Sequence, residues 1–299
     1  MKILVIGGSY FLGRVFTIVA SKEHELTLVN RGKYSMKEFG VREFILDRYD
    51  FSGIKSLPKE DYDAVIDFCA YNPSDIETFV ECYGGKIKKY VLISTCDVYK
   101  RGIDCKKNED TPIETRRFEG QVGDYIAGKI KLEEEVKQMC MKKGMEYGII
   151  RPSIIYGPYN YAQKESEYIR RIVRNIKIPM PFDSNSKFQL VYVKDVANAV
   201  LEAAKKEGNN VYNVCPEEID YESFFETLIK IVGKENVMFR YLTVNKLLQE
   251  NEFAPFPLTI EETELYDGSK ITSECDFTYT SLEEGMKKTF NAFKNVYSN

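Results

Sequence analysis

Short apolar segments alternate with longer amphipathic segments through the first half of the chain. The apolar segments are residues 3–6, 26–29, 44–46, 64–68, 90–93 and 147–150. Between them lie segments with helical patterning at residues 12–20, 73–83 and 125–142. An alternation of buried strands with helices is typical of a parallel sheet whose crossovers are right-handed. We therefore predict an α/β fold for residues 1–150, a doubly wound parallel sheet of the Rossmann type, the architecture on which many dinucleotide-binding domains are built.

The pattern loosens after Arg151 and Pro152. A helix is expected near residues 166–175 and another at 196–204, with apolar strand-like runs at 190–193 and 211–214. Residues 151–299 are predicted to form a smaller mixed α+β portion that mainly binds substrate, while segments near 190–215 join the core of the first domain. We find no repeat and no linker-like segment, so the second portion is expected to pack on the first.

The helix predicted at residues 125–142 has recognisable signals at both ends. Asp124 follows Gly123 and is the expected N-cap. Gly144 comes just after Lys142 and Lys143, where a glycine commonly ends a helix. These signals predict a helix that begins at about Asp124 and stops before Gly144.

Composition excludes several classes of function. The chain has 299 residues, of which 43% are hydrophobic, so it can bury a core without metal or disulfide support. Its 42 basic and 46 acidic residues give a net charge of −4, and nucleic acid is not an expected partner. The 7 cysteines include no CxxC pair and are read as free thiols. His24 is the single histidine, so neither a metal site nor a histidine-based triad is expected.

No apolar run approaches the roughly 20 residues that cross a bilayer. The initial apolar run breaks at Gly7 and Gly8, too soon for a signal peptide. We therefore expect a cytoplasmic protein without a membrane-spanning segment.

The first predicted strand runs directly into a glycine-rich turn and then a helix. Gly7 allows a tight turn, and Gly13 allows the helix to pack closely on the strand. Backbone amides at the start of such a helix can face a pyrophosphate. Tyr10 stands where a middle glycine is usual, so its side chain must point away from the phosphates. The alternative interpretation is a tight turn that binds no ligand.

The end of the second predicted strand bears on cofactor choice. A carboxylate that would bind a ribose 2′-hydroxyl is expected there, but the chain has Asn30, Arg31 and then Lys33. Arg31 could accept a 2′-phosphate through charge-assisted hydrogen bonds, which favours NADP over NAD. The alternative is that Arg31 and Lys33 are ordinary loop cations.

Tyr125 and Lys129 are four residues apart on the predicted helix and share one face. A neighbouring ammonium group favours the phenolate of a tyrosine, whose pKa is ordinarily about 10. Thr95 follows a predicted strand and offers a hydroxyl that could hydrogen-bond a substrate oxygen. Together the three residues predict a site for proton and hydride transfer.

Several segments, distributed in order along nearly the whole chain, resemble those of the extended short-chain dehydrogenases/reductases of the NAD-dependent epimerase/dehydratase family. The matching segments are GGSYFLG at 7–13, DRYD at 47–50, VIDFCAY at 65–71, ISTCDVY at 93–99, the Tyr125/Lys129 pair with Glu133, RPSIIYGP at 151–158, VYVKDVANAV at 191–200 and YNV at 212–214. The resemblance implies that Tyr125 is the acid/base, that Thr95 holds the substrate oxygen, and that Lys129 binds the nicotinamide ribose and tunes Tyr125. The cofactor-binding residues that we infer from the loop, the strand ends and the resemblance are Gly7, Ser9, Tyr10, Phe11, Leu12, Gly13, Asn30, Arg31, Asp47, Arg48, Phe68, Cys69, Ala70, Lys129, Pro152, Ile154 and Ile155.

Two departures from the family pattern concern the substrate. Ile154 stands where sugar-nucleotide epimerases often carry an asparagine that holds the diphosphate. The arginine usual before a later strand is missing, and Lys187 is the nearest cation. A smaller sugar, a polyol or another carbonyl compound would not need those anchors. Candidate substrate contacts are Asp97, Tyr156 and Lys187.

We therefore expect an NAD(P)-dependent epimerase or oxidoreductase that acts on a CH–OH or C=O group of a sugar, sugar nucleotide or similar small molecule. Dehydration is disfavoured because Cys96 and Asp97 replace the paired Asp-Glu of the family's dehydratases. The combination of GGSYFLG with NRG also resembles an atypical branch that includes chloroplast stem-loop RNA-binding proteins. Two alternatives thus remain, an RNA-binding protein of that kind and a nucleotide sensor without turnover.

The family commonly dimerises through the helix that carries the Tyr/Lys pair and the helix before it. By this resemblance a homodimer is expected. The contacts would come from residues 75–83, with Phe79, Val80 and Tyr83 as candidates.

Overall fold

A computed structural model describes residues 1–103, 105–233 and 237–297. Its strands are β1 (Lys2–Ile6), β2 (Glu25–Asn30), β3 (Arg42–Ile45), β4 (Tyr62–Asp67), β5 (Ile87–Ile93), β6 (Glu146–Pro152), β7 (Ile154–Tyr156), β8 (Ile178–Pro181), β9 (Leu190–Tyr192), β10 (Asn210–Val214) and β11 (Phe239–Leu242). Its helices are α1 (Phe11–Ala20), α2 (Phe51–Ser56), α3 (Pro73–Cys82), α4 (Gly120–Lys143), α5 (Glu165–Val173), α6 (Val193–Lys205), α7 (Tyr221–Val232), α8 (Val244–Gln249), α9 (Ser269–Glu274) and α10 (Leu282–Tyr297).

Seven of these strands form one parallel sheet in the order β10-β6-β5-β4-β1-β2-β3. Side chains alternate between its two faces, as strand geometry requires. In β1, Ile3 and Val5 belong to one apolar core, while Leu4 and Ile6 belong to the other. Helices α1 and α6 pack together on the first face, and α3 and α4 on the second. Both faces are covered, which is why the strands are almost uniformly apolar.

The C-terminal portion adds two small parallel pairs, β7 with β9 and β8 with β11. Aromatic residues from several elements pack between them. Tyr168 of α5 meets Phe224 and Phe225 of α7 edge-on, with ring centroids 5.6 and 5.0 Å apart. Phe188 stacks on Phe256 at 4.6 Å. This aromatic cluster is continuous with the core on the α1 and α6 face of the large sheet.

The predicted fold class is confirmed: a Rossmann-type parallel sheet carries a smaller mixed portion.

The prediction for the start of α4 was wrong. The helix begins at Gly120 after Glu119, and Asp124 lies within its first turns. Gly123 is not the residue before the helix but packs within its first turn, where a Cβ would lie 2.0 Å from the carbonyl oxygen of Phe118. Gly144 does end the helix, in the left-handed conformation. The division of the chain at residue 150 stays a prediction.

The three residues proposed for a dimer contact are not available to a partner. Phe79, Val80 and Tyr83 are buried within this chain, on the α3 and α4 face of the sheet. Phe79 and Tyr83 stack with ring centroids 5.8 Å apart. Those contact predictions are wrong, because the apolar side of α3 faces its own sheet.

The strand order places the functional end of the sheet. The chain runs outward from β1 to β2 and β3, then crosses to β4 on the other side of β1. Such a reversal leaves a crevice at the carboxyl ends of the strands. Within the ranges that the structure describes, no helix has the length and apolarity of a transmembrane segment.

Candidate active site

A cleft of about 990 Å³ opens at the carboxyl ends of β1, β2, β4, β5 and β6. Residues from the C-terminal portion close its other side. The cleft brings together most of the residues that the sequence singles out. These are Gly7, Ser9, Tyr10, Phe11, Leu12, Gly13, Asn30, Arg31, Asp47, Arg48, Phe68, Cys69, Thr95, Asp97, Tyr125, Lys129, Pro152, Ile154 and Ile155.

Three predicted residues lie elsewhere. Tyr156 is 1% exposed and packs in the core beside Tyr192, so the prediction that it contacts a substrate is wrong. Ile154 and Ile155 line the cleft, whereas Tyr156, at the end of β7, packs in the core. Ala70 is likewise buried beneath the cleft wall. Lys187 is outside the cleft, with its Nζ 3.7 Å from a carboxylate oxygen of Glu218, and the roles of Ala70 and Lys187 stay predictions.

The glycine-rich turn between β1 and α1 forms one end of the cleft. Gly7 has a φ of 84°, and a Cβ on Gly13 would lie 2.3 Å from the carbonyl oxygen of Gly7. Both positions therefore require glycine. No side chain caps the start of α1, so its first N–H groups are left for another partner. Tyr10 has an extended backbone, and its ring stacks against other tyrosines at the rim. This arrangement fits the pyrophosphate of a dinucleotide.

The end of β2 presents cations to the same end of the cleft. The Asn30 side chain turns away, since its Nδ2 donates to Glu43 at 2.8 Å and its Oδ1 accepts from the N–H of Gly32 at 2.8 Å. Glu43 is not part of the cleft wall, whereas Arg31 and Lys33 are. Arg31 is exposed and forms no salt bridge within residues 1–103, 105–233 and 237–297. An anionic group is therefore favoured at this position.

A buried ion pair supports the cleft floor between β3 and β4. Arg48 donates to both carboxylate oxygens of Asp67, at 3.1 and 3.0 Å. The Tyr90 hydroxyl donates to Asp67 at 2.6 Å. Arg48 also donates to the carbonyl oxygen of Asp75 at 3.0 Å, which ties the start of α3 to the floor. The guanidinium group thus holds several segments in place and is not free to pair with a ligand phosphate.

Thr95, Tyr125 and Lys129 converge on the middle of the cleft. The Thr95 hydroxyl donates to Asp97 at 3.1 Å, and the N–H of Asp97 donates back to it at 3.2 Å. Tyr125, in the first turns of α4, lines the cleft together with Thr95. One helical turn later, Lys129 donates to the carbonyl oxygen of Ile93 at 2.8 Å. The helix and the end of β5 are thereby fixed side by side.

The local environment raises the pKa of Tyr125 to about 12. Burial is the main cause and the Asp97 carboxylate adds to it, while the hydrogen bond with Thr95 acts in the opposite direction. Burial also lowers the pKa of Lys129, against the effect of Asp67 and Glu133. With such a pKa, Tyr125 releases its proton near neutral pH only when further positive charge approaches.

A buried polar network lies directly behind these residues. Glu133 accepts hydrogen bonds from the Ser94 hydroxyl at 2.6 Å and from two nitrogens of Arg151 at 2.9 and 2.6 Å. Arg151 also donates to the Tyr99 hydroxyl at 2.7 Å, which in turn donates to Asn213 at 2.6 Å. The network joins α4 to the ends of β5, β6 and β10. It explains why Glu133 accompanies the Tyr125/Lys129 pair in the sequence.

The far end of the cleft is built from residues that sequence patterns did not indicate. They are Arg101, Asn160, Lys164, Gln189, Pro257, Glu262, Glu264 and Tyr266. Arg101 lies 3.9 Å from Asp97. Lys107, just behind, pairs with Glu264, and burial lowers its pKa to about 8. Ser153 also lines the cleft, and its buried hydroxyl has no hydrogen-bond partner among the described residues. These groups suit a ligand rich in hydroxyl groups.

Comparison with known proteins gives a family and a fold. The family model described as the NAD dependent epimerase/dehydratase family matches residues 3–215. A chloroplast stem-loop binding protein of 41 kDa from Arabidopsis thaliana is 28% identical over 73% of this chain, and a dTDP-D-glucose 4,6-dehydratase from Dictyostelium discoideum is 24% identical over 71%. The chain spans 59% and 58% of the length of these two relatives.

Solved structures share the fold over almost the whole chain. A UDP-N-acetylglucosamine 4-epimerase from Methanobrevibacter ruminantium has a TM-score of 0.79 at 19% identity, covering 99% of this chain and 98% of its own. A UDP-glucose 4-epimerase from Thermotoga maritima has a TM-score of 0.76 at 19% identity, covering 99% of both chains. At these identities the likeness concerns the fold.

Proposed function

The chain belongs to the NAD-dependent epimerase/dehydratase family, and from this premise we propose that it is an NAD(P)-dependent enzyme acting on a CH–OH or C=O group of a sugar, a sugar nucleotide or a similar small molecule. One observation carries the proposal. Thr95, Tyr125 and Lys129 line the same cleft as the glycine-rich turn that fits a dinucleotide. A proton-transferring group and a cofactor cradle in one cleft are what hydride transfer requires.

When bound, the nicotinamide of the cofactor supplies the hydride acceptor or donor. Tyr125 moves the proton at the substrate oxygen, and its side chain lines the cleft. Thr95 holds that oxygen, because Asp97 fixes its hydroxyl beside Tyr125. Lys129, one helical turn further along α4, places a positive charge in the same cleft, and such a charge favours the phenolate of Tyr125. The carbonyl oxygen of Ile93 keeps Lys129 on this side of the helix.

NADP is the proposed cofactor in preference to NAD. Support comes from Arg31 and Lys33, which line the cleft where a carboxylate for the ribose 2′-hydroxyl would otherwise lie. Glu43, the nearby acidic residue, is occupied by Asn30, Ser35 and the N–H of Met36. The opposing consideration is that several proteins of the same fold are described in complex with NAD.

Epimerisation or simple oxidoreduction is proposed over dehydration. Asp97 is a carboxylate in the cleft, but its neighbour Cys96 is buried, with its sulfur 3.0 Å from the carbonyl oxygen of Arg151. Burial raises the pKa of this thiol well above its ordinary value, so Cys96 supplies no acid or base at neutral pH. A second acid beside Asp97 is therefore lacking at this position.

The test is the Tyr125→Phe variant, assayed with NADPH or NADP and a panel of sugars and sugar nucleotides. We expect turnover to fall at least 100-fold, since general acid–base groups contribute about 10²–10⁴-fold. Dinucleotide affinity, measured by calorimetry, is expected to stay within about threefold. Tyr241→Phe is the matched control, because Tyr241 is exposed on β11 away from the cleft. Unchanged turnover in Tyr125→Phe would show that the mechanism is wrong.

A second candidate is binding of structured RNA, favoured by the 28% identity to the Arabidopsis stem-loop binding protein. Several paired surface cations argue against it, because each pair already shares an ion pair with a carboxylate of this chain. Lys142 and Lys143 pair with Glu81, and Arg170 and Arg171 pair with Glu167. RNA binding would appear as a steeply salt-dependent affinity for a stem-loop that Tyr125→Phe leaves unchanged.

A further inference from the structure

Three tyrosine rings lie in a row along the rim of the cleft. Tyr34 stacks on Tyr10 with ring centroids 5.8 Å apart and planes 16° apart. Tyr10 stacks on Tyr161 at 5.2 Å and 29°. All three rings line the cleft, and they come from three separate segments: the loop after β2, the glycine-rich turn, and residues 157–164 between β7 and α5. The row thus joins the cofactor end of the cleft to its substrate end.

Residues 157–164, called the rim loop here, make two further contacts with the start of α1. Phe11 meets Tyr161 edge-on at 6.0 Å and 85°. The Arg14 guanidinium lies 5.0 Å from the centroid of the Tyr159 ring, a cation–π distance. Phe11 and Tyr159 have φ values of 38° and 65°, in the left-handed region that side chains other than glycine rarely adopt. Such conformations persist where surrounding contacts hold them, often at functional sites.

The rim loop is firmly held at its base and loosely held at its tip. At the base, Glu165 accepts hydrogen bonds from the N–H of Gly157 at 3.1 Å and from Asn160 at 3.3 Å, in a buried position. At the tip, Tyr161 is 66% exposed and its stacking partner Tyr10 is 46% exposed. Ring contacts between exposed side chains can separate without disturbing the core. The tip can therefore swing while the base stays in place.

We propose that Tyr161, stacked on Tyr10, acts as a retention residue that latches the rim loop over a dinucleotide bound at the glycine-rich turn. This inference rests on the proposed function. The latch must open before the dinucleotide leaves, so it sets the cofactor's residence time more than its orientation. It also gives a role to Tyr10, the bulky residue at a position where glycine is usual: its ring is the surface on which the rim loop closes.

The experiment measures the dissociation rate constant of the full chain from NADPH, or from NADH if the titration shows tighter binding of NADH. The protein loaded with the reduced dinucleotide is mixed with excess oxidised dinucleotide, and the loss of nicotinamide fluorescence is followed by stopped flow. Tyr161→Ala is expected to raise the dissociation rate constant at least tenfold. Tyr161→Phe keeps the ring and is expected to stay within twofold, as is Tyr241→Ala, an exposed tyrosine outside the row.

Coupling between the two rings gives the second measurement. If the two rings act as one latch, the double variant carrying Tyr10→Ala and Tyr161→Ala releases the dinucleotide with a rate constant no more than about twice that of the faster single variant. A dissociation rate constant that stays within twofold in Tyr161→Ala, with the dinucleotide still bound, overturns the latch and leaves the proposed function intact. If the unchanged protein binds neither dinucleotide, the proposed function fails and the latch fails with it.

Discussion

The Nζ of Lys129 lies 2.8 Å from the carbonyl oxygen of Ile93, two residues before Thr95. This contact holds the ammonium group one helical turn from Tyr125. We expect Lys129→Met to lower turnover by about 10²-fold or more, because the phenolate loses the positive charge held one helical turn away on α4. In the direction of alcohol oxidation Tyr125 acts as the base, so the pH at which the rate is half-maximal should move upward. Lys131→Met, an exposed lysine on the same helix, should leave the profile unchanged.

That prediction is checked by pH–rate profiles of the two variants and the unchanged protein at saturating cofactor. A loss of rate in Lys129→Met without any movement of the profile would contradict a role in tuning Tyr125. It would leave Lys129 as a cofactor-binding residue only.

Cofactor choice should depend on Arg31. Arg31 lines the cleft, and none of the salt bridges among the described residues includes it. Arg31→Ala removes this cation. Charge-assisted hydrogen bonds contribute about 1.5–3 kcal/mol, so NADPH affinity should fall about 10- to 100-fold while NADH affinity stays constant. Calorimetric titration with both dinucleotides checks this, with Lys37→Ala as the control outside the cleft. An equal loss for NADPH and NADH would show that Arg31 does not read the 2′-phosphate.

The Glu165 carboxyl should make stability depend on pH. Burial raises its pKa from 4.5 to about 7, while the N–H of Gly157 and the amide of Asn160 partly compensate. Between these two values the folded state binds more protons than the unfolded state. The free energy of unfolding contributed by this group therefore falls as pH rises from about 4.5 to 7, by at most about 3 kcal/mol.

Glu165→Gln removes this titration and keeps an oxygen that accepts from Gly157. The free energy of unfolding of the variant, relative to that of the unchanged protein, should increase steadily from pH 4.5 to 7. Above pH 7 the difference between the two proteins should stay constant. Urea unfolding at several pH values measures the difference. Glu222→Gln, at an exposed glutamate in α7, should show no such trend. A difference independent of pH for Glu165→Gln would rule out the raised pKa.

Two glycines should respond to alanine in opposite directions. Gly13→Ala places a Cβ 2.3 Å from the carbonyl oxygen of Gly7, and overpacking of this kind costs about 1–3 kcal/mol. Gly128 lies in α4, and the nearest atom to its added Cβ is 3.9 Å away. Gly128→Ala should stabilise the protein by up to about 1 kcal/mol through helix propensity. The midpoints of urea unfolding test both, and a destabilised Gly128→Ala would contradict the packing described for α4.

Local patterns predicted the strands of the first half of the chain and its helices α1, α3 and α4, but not the short helix α2. Their reliability has a physical basis, because a parallel sheet covered on both faces requires continuous apolar strands. The glycine-rich turn, the ends of β2 and β5, and the Tyr125/Lys129 pair could likewise be identified, since each depends on neighbours in sequence. Strand ends of a parallel sheet meet at one edge, and this alone brings those segments together.

The errors share a different origin. Asp124 looked like a helix cap because Gly123 precedes it, yet Gly123 packs inside the helix on Phe118. Phe79, Val80 and Tyr83 looked like partner contacts, yet they face their own sheet. Tyr156 lies in a segment that borders the cleft, but its ring packs in the core beside Tyr192. In each case the outcome depends on which side of an element faces inward.

Patterns along the chain were sufficient to predict the sheet, the glycine-rich turn and the central Thr95, Tyr125 and Lys129 group. The far end of the cleft could be identified only in the folded protein, because Arg101, Glu264 and Tyr266 come from loops without periodic patterning. The tertiary structure also decided the row of Tyr34, Tyr10 and Tyr161, whose members are far apart along the chain. The physical reason is that periodicity records which residues are buried within an element. Contacts between distant loops depend on how the elements pack, and no local pattern encodes them.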